Sequence, residues 1–368
     1  MKLGQGISWL LGNLQRSLFP HMEECWGTAL TEKEQQLVSI LELVRIERYV
    51  PWSAINQWMG RKLSERESIA RSFVAKAVYG FPFTRSLIEA LTTTPTLRRI
   101  CGFERVSDIP SESTFSRAFA EFAKSGLGDR VHDALVENCL KAELIGHISR
   151  DSTAIEGRER PVKKAPKERV SLRKKGRPAK GEQREPKEPK RLERQREQSA
   201  QEALQELPIF CDVGAKKNSK GFKETWIGYK LHADVNDCGL SISVALTAAS
   251  VHDSQVAIPL MKMSSAKVDY LYDVMDSAYD AGLIYEVSES LGHVPIIDKN
   301  SRGKEVVPMA PHEATRYNER TAAERFNSRM KEEFGAHNVM VRGAQNVKMH
   351  LMFGILALFA DQLIKLAT

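Results

Sequence analysis

Hydrophobic and polar positions change their period once along this chain. Through residues 1–145, apolar side chains recur at spacings of three and four, as in Leu37, Ile40, Leu41, Leu43 and Val44 and again in Ile69, Phe73, Val74 and Val78. That period places them on one face of a helix, so the region reads as almost entirely helical. Thr31 followed by Glu34 has the form of a capping box opening the first of these helices. Further on, Ile109-Pro110-Ser111 leads into a helix with Ser113, Thr114, Ser116 and Arg117 on one side and Phe115 and Phe119 on the other. Such a helix suits the major groove of DNA and equally suits an ordinary capped surface helix.

From about residue 146 the pattern alternates. Strands are expected at 146–151 (ending on Asp151), 209–213, 225–235, 240–247, 268–275 (ending at Asp276) and 294–297. Helices are expected from a cap at Asp253 to about Met263, from Asp280, over 315–334 and over 347–367. After residue 208 the order is three strands, helix, strand, helix, strand, helix. That order implies an α/β fold, a mixed sheet flanked by helices and preceded by an all-α N-terminal domain.

Composition sharpens this picture in one place. The chain has 368 residues, enough for two or three domains, and a net charge of +7 that favours a polyanionic partner. Residues 158–197 hold 17 Lys and Arg against 7 Asp and Glu, a net of +10, which leaves −3 for everything else. The basicity is therefore local. A Pro-punctuated, charge-dense stretch of this kind buries too little surface to fold alone and is expected to be disordered without a partner. Inside it, Lys174-Lys175-Gly176-Arg177-Pro178 resembles the minor-groove hooks of AT-rich DNA binders, making Lys174, Lys175 and Arg177 candidate DNA contacts; a solvated linker is the competing reading. Five scattered cysteines without a Cys-x-x-Cys pair argue against a disulfide framework or a zinc site and suit a reducing cytosol. The N-terminal apolar run is too short for a secretory signal, and no run of about 20 apolar residues is expected to span a membrane, so a cytoplasmic protein is expected.

Asp151 and Asp276, expected at strand ends, and Glu324, expected on a helix, are candidate ligands for a hard cation, because sites in open α/β sheets gather at strand ends. Two such ions can activate an attacking oxygen and neutralise a leaving one at phosphorus. The helix is the sharper signal. At about 100° per residue, Tyr317, Arg320, Glu324 and Lys331 fall within a wedge of about 60°, with Ala322, Ala323, Phe326 and Met330 on the opposite side. Geometry alone also fits an exposed helix carrying an ordinary Arg320–Glu324 pair worth a few tenths of a kcal/mol.

The spacing Tyr317-x2-Arg320-x3-Glu324-x6-Lys331 resembles the signature of the DDE transposases of bacterial insertion sequences, in the IS-four/five-type branch named for its Tyr-Arg-Glu-Lys helix. Arg150-Asp151-Ser152-Thr153 is similar to that family's first-acid strand, and Asp276-Ser277-Ala278-Tyr279-Asp280 to the block around its second acid. Gly228-Tyr229-Lys230-Leu231-His232 and the segment Ala248 to Ser254 resemble two further blocks, and Leu97 to Phe103 through Ser113 to Arg117 resembles the helical N-terminal domain. The likeness covers roughly residues 75–366. It implies a ribonuclease H-like catalytic domain over 146–345, interrupted by a basic insertion at 158–207. A DNA-binding or dimerisation domain would precede it at 1–145, and a C-terminal helix at 346–368 would pack on it. It further implies that Asp151, Asp276 and Glu324 bind two Mg2+ ions, with Mn2+ able to substitute, and that Tyr317, Arg320 and Lys331 contact DNA phosphates. The partners it implies are double-stranded DNA, as terminal inverted repeats and target, and a second copy of the chain on that DNA. Only 47 residues separate Asp276 from Glu324 and none is Trp, so the large β-rich insertion with a base-stacking Trp that some relatives carry is absent. An endonuclease without strand transfer and a catalytically silent DNA-binding regulator are the competing functions.

Overall fold

A computed structural model of the chain describes residues 2–50, 66–163, 188–217, 221–301 and 308–368. The helical N-terminal region consists of α1 (Lys2–Asn13), α2 (Phe19–Trp26), α3 (Glu32–Val44), α4 (Arg66–Val78), α5 (Thr84–Thr93), α6 (Pro95–Ile100), α7 (Glu112–Ser125) and α8 (Leu127–Leu140). The capping box is formed: Glu34 N donates to Thr31 Oγ1 at 3.3 Å and Thr31 N donates to Glu34 Oε2 at 2.8 Å. On α7 the aromatic face turns inward, and Phe115, Phe119 and Phe122 all meet Phe73 of α4 edge-on.

Six strands follow: β1 (Ile145–Glu156), β2 (Asp212–Lys217), β3 (Lys223–Asn236), β4 (Ser241–Ala248), β5 (Tyr270–Met275) and β6 (Val294–Ile297). The long β3 pairs antiparallel with β1, β2 and β4, while β1, β5 and β6 run parallel. Two crossover helices make the parallel connections, α11 (Ser254–Ser265) between β4 and β5 and α12 (Gly282–Ser290) between β5 and β6. Gly228 permits the tight β1–β3 approach: at φ 150°, a Cβ there would sit 2.2 Å from the Ile155 carbonyl oxygen.

Several expectations about single elements are corrected. β1 does not end on Asp151 but runs five residues beyond it, because β3 is long enough to pair with it as far as Glu156. The strand expected at 209–213 is displaced to Asp212–Lys217, where its register with β3 lays the Trp226 ring over Gly214. The helix expected over 315–334 is broken into α13 (Pro311–Tyr317), a 3₁₀ turn (Asn318–Arg320) and α14 (Thr321–Glu332). Ser149 Oγ of β1 donates to the Glu319 carbonyl at 2.7 Å and pins that turn to the sheet. The end of the basic stretch is ordered, forming α9 (Arg191–Glu197) and α10 (Ala200–Gln205). Gln195 Nε2 donates to the Gln255 carbonyl at 2.8 Å, and Lys262 Nζ donates to the carbonyls of Gln195 and Arg196 at 3.0 and 2.9 Å, so α11 holds α9 by its open C-terminal end. Leu192 and Leu204 add apolar contacts that the charge count concealed.

Helix α15 (Ala344–Ala367) is long and apolar enough to span a membrane by length and composition, contrary to the expectation that no such run exists; 78% of its apolar window is buried inside the fold. It packs against α1, α3, α4, α7 and α8 and also reaches α14 and β4, so one hydrophobic core runs from the helical region into the sheet. Gly354 allows the closest approach, since a Cβ there would lie 2.5 Å from the Phe334 carbonyl oxygen.

Candidate active site

The sheet builds the site by stopping one strand and continuing its neighbour. In the parallel β1–β5 register Arg150 lies opposite Met275, the last residue of β5. One step further, Asp151 is still held in β1 by its pairing with Ala233, while Asp276 has left the sheet and turns into a 3₁₀ turn. The two acids are thus brought level, in the crevice beyond the carboxyl end of β5.

Beneath them, Arg150 is fully buried and fixes which acids remain available. Its Nε and Nη2 donate to the two oxygens of Asp234 at 2.7 Å each, and Nη1 donates to Asp273 Oδ1 at 3.2 Å. Asp273 is thereby committed to an internal ion pair. Asp280 accepts from the Tyr285 hydroxyl at 3.3 Å and the Asn300 amide at 3.1 Å; Ala281, not Asp280, stands at the N-cap of α12.

Asp151 Oδ2 accepts from Asn327 Nδ2 at 3.1 Å, and Asp276 Oδ1 accepts from the Ala278 amide at 3.0 Å. Burial, with the charge of Asp276 and Asp253 nearby, pushes the Asp151 carboxyl up to about 6. Burial and the charge of Asp253 also raise Asp276. Asp253 does not cap α11 with its side chain. Its Oδ1 instead accepts from Ser152 Oγ and Lys230 Nζ, both at 2.9 Å, and so ties the residue after Asp151 to β3. The Tyr279 hydroxyl is buried within reach of the charges of Asp253, Asp151 and Asp276 and makes no hydrogen bond among the described residues.

On α14 the inward face is as expected, with Ala322, Ala323, Phe326 and Met330 all at most 2% exposed. Tyr317 at the end of α13 and Arg320 in the 3₁₀ turn stand near the two acids, and Glu324 in the first turn of α14 joins them through Arg320. Arg320 Nη2 donates to Glu324 Oε1 at 2.5 Å, its guanidinium lies 5.9 Å from the Tyr317 ring, and it feels the charges of Glu324, Asp151 and Asp276 together. Glu324 is half exposed and turned to Arg320. Among the described residues no three acid, histidine or cysteine side chains are gathered closely enough to enclose a metal ion. The donor set nevertheless fits a hard divalent cation at Asp151 and Asp276. Both are oxygen donors whose neighbouring negative charges a cation would offset, and the buried Tyr279 hydroxyl stands in their field.

Lys331 lies further along α14, where it still feels the charge of Asp151. It lines a groove of about 340 Å3 with Lys216, Trp226 and His337, and burial together with the charge of Lys216 lowers its pKa. Lys174, Lys175 and Arg177 lie outside the described residues. Trp226 Nε1 donates to the Tyr229 carbonyl at 3.0 Å, and Tyr229 is buried with its hydroxyl on Glu159, so both serve packing. His232 is buried against Thr247, and the exposed His252 pairs with Ser254. Sequence reasoning missed Asn327 and the Ser152–Asp253–Lys230 network. The available signals were the position of Asn327 one turn after Glu324 and the polar residues clustered in otherwise apolar strands.

Two family models match the chain. A family model described as a transposase DDE domain matches residues 151–360, beginning at Asp151 and enclosing Asp276 and Glu324. A second, described as a transposase domain (DUF772), matches residues 30–121 in the helical region. No curated protein and no solved structure matches the chain. The mixed sheet flanked by helices is compatible with the ribonuclease H-like fold of DDE enzymes.

Proposed function

Because the chain belongs to the DDE transposase family, we propose that it is the transposase of a bacterial insertion sequence, in the Tyr-Arg-Glu-Lys branch. It binds the element's terminal inverted repeats, cuts DNA at the ends and joins the freed 3′-hydroxyls to target DNA. The observation that supports the reading is the level placement of Asp151 and Asp276 where β5 ends, with Arg320, the partner of Glu324, in the field of both acids.

Asp151, Asp276 and Glu324 are the residues that would hold two divalent ions, with magnesium the proposed metal and manganese a substitute. When bound, such ions lower the pKa of an attacking hydroxyl and offset charge on the transferring phosphoryl group. The chain's own residues do the rest. Asn327 holds Asp151 in orientation, and Ser152, Asp253 and Lys230 brace the strand that carries it. Arg320 and Tyr317 stand beside the acids, where a guanidinium fork and a phenol suit phosphate oxygens, and Lys331 extends that contact along α14. Residues 1–145 form the proposed DNA-binding or dimerisation domain, with the catalytic domain over 146–345 and the C-terminal helix over 346–368. Pairing two element ends favours a dimer on DNA, and acting on genomic DNA places the protein in the cytoplasm at the nucleoid.

Supplying duplexes that carry the element's uncut ends, with a supercoiled target in magnesium, tests the reading. Joined products are expected. Cut ends without joined products would indicate an endonuclease, and binding without cutting a silent regulator.

A further inference from the structure

Helices α4 and α7 and the segment entering α15 enclose a second pocket, of about 340 Å3, on elements that carry none of the three acids. Its polar lining consists of Lys76, Thr84, Ser116, Arg342, Asn346 and His350, without an acidic residue. Lys76 is only 7% exposed, its ammonium opens to the pocket, and among the described residues it makes no hydrogen bond or ion pair. Burial alone acts on its ammonium and lowers its pKa to about 8. His350 offers no counter-charge. Its Nε2 faces the Gly335 carbonyl at 3.0 Å, and burial with the charge of Lys76 keeps it neutral down to about 4.

An ammonium held on a mostly buried stem at the wall of a pocket loses part of its hydration, and a methionine would fill the same volume without that cost. The neighbouring Phe73 and Phe119 belong to the aromatic core and supply no acceptor. Lys76 and Arg342 line the same pocket with no acid beside them, which suits an anion from outside. We propose that this pocket binds a phosphate oxyanion, with Lys76 and Arg342 as charged donors and the hydroxyls of Ser116 and Thr84 as neutral ones. Ser116 sits on the exposed polar face of α7 beside Arg117, so a DNA backbone running along that helix presents a phosphodiester to the pocket. The DNA source rests on the transposase reading; free inorganic phosphate would satisfy the same donors.

The test uses the full chain and reads acylation of Lys76 by an amine-selective reagent through peptide mass mapping. Inorganic phosphate and a short duplex are compared with chloride at equal ionic strength. An anion at Lys76 withdraws the free amine, so modification is expected to slow by roughly threefold or more. Protection by both identifies the DNA backbone, and protection by phosphate alone identifies the free ion. Lys76→Met, which removes a buried charge and should fold, is expected to lower the salt dependence of duplex binding by about one unit if the backbone is the ligand. Absence of protection by phosphate and by duplex overturns the inference. End cleavage by the wild type is read in parallel. Its absence beside intact phosphate protection would count against the transposase reading and leave the pocket standing.

Discussion

Arg320 Nη2 lies 2.5 Å from Glu324 Oε1 while the same guanidinium feels the charges of Asp151 and Asp276. One cation is thus shared among three acids that arrive from β1, the end of β5 and α14. An i, i+4 pair with a half-exposed carboxylate contributes little to folding. Arg320→Ala is therefore expected to change unfolding free energy by less than about 0.5 kcal/mol while reducing end cleavage tenfold or more, roughly the loss of one charge-assisted contact in the transition state. Urea melts and single-turnover cleavage on the same preparations check both halves.

Asp151 gives a pH dependence of defined sign. Its carboxyl is held up to about 6 against an ordinary 3.8. The folded chain therefore binds the proton more tightly than the unfolded chain, and stability falls as pH rises from about 4 to 6. Asp151→Asn removes that penalty. The variant is expected to be more stable than the wild type by about 1–3 kcal/mol at pH 7.5 and no more stable at pH 4. Cleavage by the wild type should rise with pH through about 6 as the carboxylate forms. Equal stability of the two proteins at pH 7.5 would contradict the burial argument.

The buried His132 and His232 and the half-buried His350 act in the opposite direction. His132, held against Ser241, stays neutral down to about 3, and His232 and His350 down to about 4, against an ordinary 6.5. Below 6.5 the unfolded chain takes up these protons and the folded chain does not. Stability from this source is present above 6.5 and lost as pH falls, by roughly 1–2 kcal/mol per histidine at pH 5. Denaturation midpoints between pH 7.5 and 5 measure it, and His132→Asn should flatten the slope.

Arg150 balances Asp234 and Asp273 in a region with no solvent access. Arg150→Met would strand two buried carboxylates and is expected to cost about 3–5 kcal/mol, or to prevent folding. The double replacement of Asp234 and Asp273 by Asn in the Met background should recover part of the loss, read by thermal melting.

Local rules made some of this visible in the sequence and missed the rest for identifiable reasons. The Thr31–Glu34 box, β6 and the buried face of α14 obey neighbour-to-neighbour spacing, and each appears as that spacing requires. The placement of Asp151 within a long β1 depends on the length of its partner β3. The break at Asn318–Arg320 depends on Ser149, 170 residues away, and no local period records either. The order in residues 191–205 was hidden because charge density outweighed a few leucines whose partners lie on other elements. Lys76 did carry a signal: it follows Phe73 by three residues and so falls on the apolar face of α4.

The central claim is that Asp151, Asp276 and Glu324 act as one site on DNA. Its most direct test is cleavage of a labelled duplex carrying the element's own end, with magnesium, by wild type and by Glu324→Gln. The account predicts metal-dependent cutting by the wild type and none by the variant, with duplex binding retained by both. Equal cutting by the two proteins would contradict it, removing Glu324 from the chemistry and reopening the assignment of all three acids.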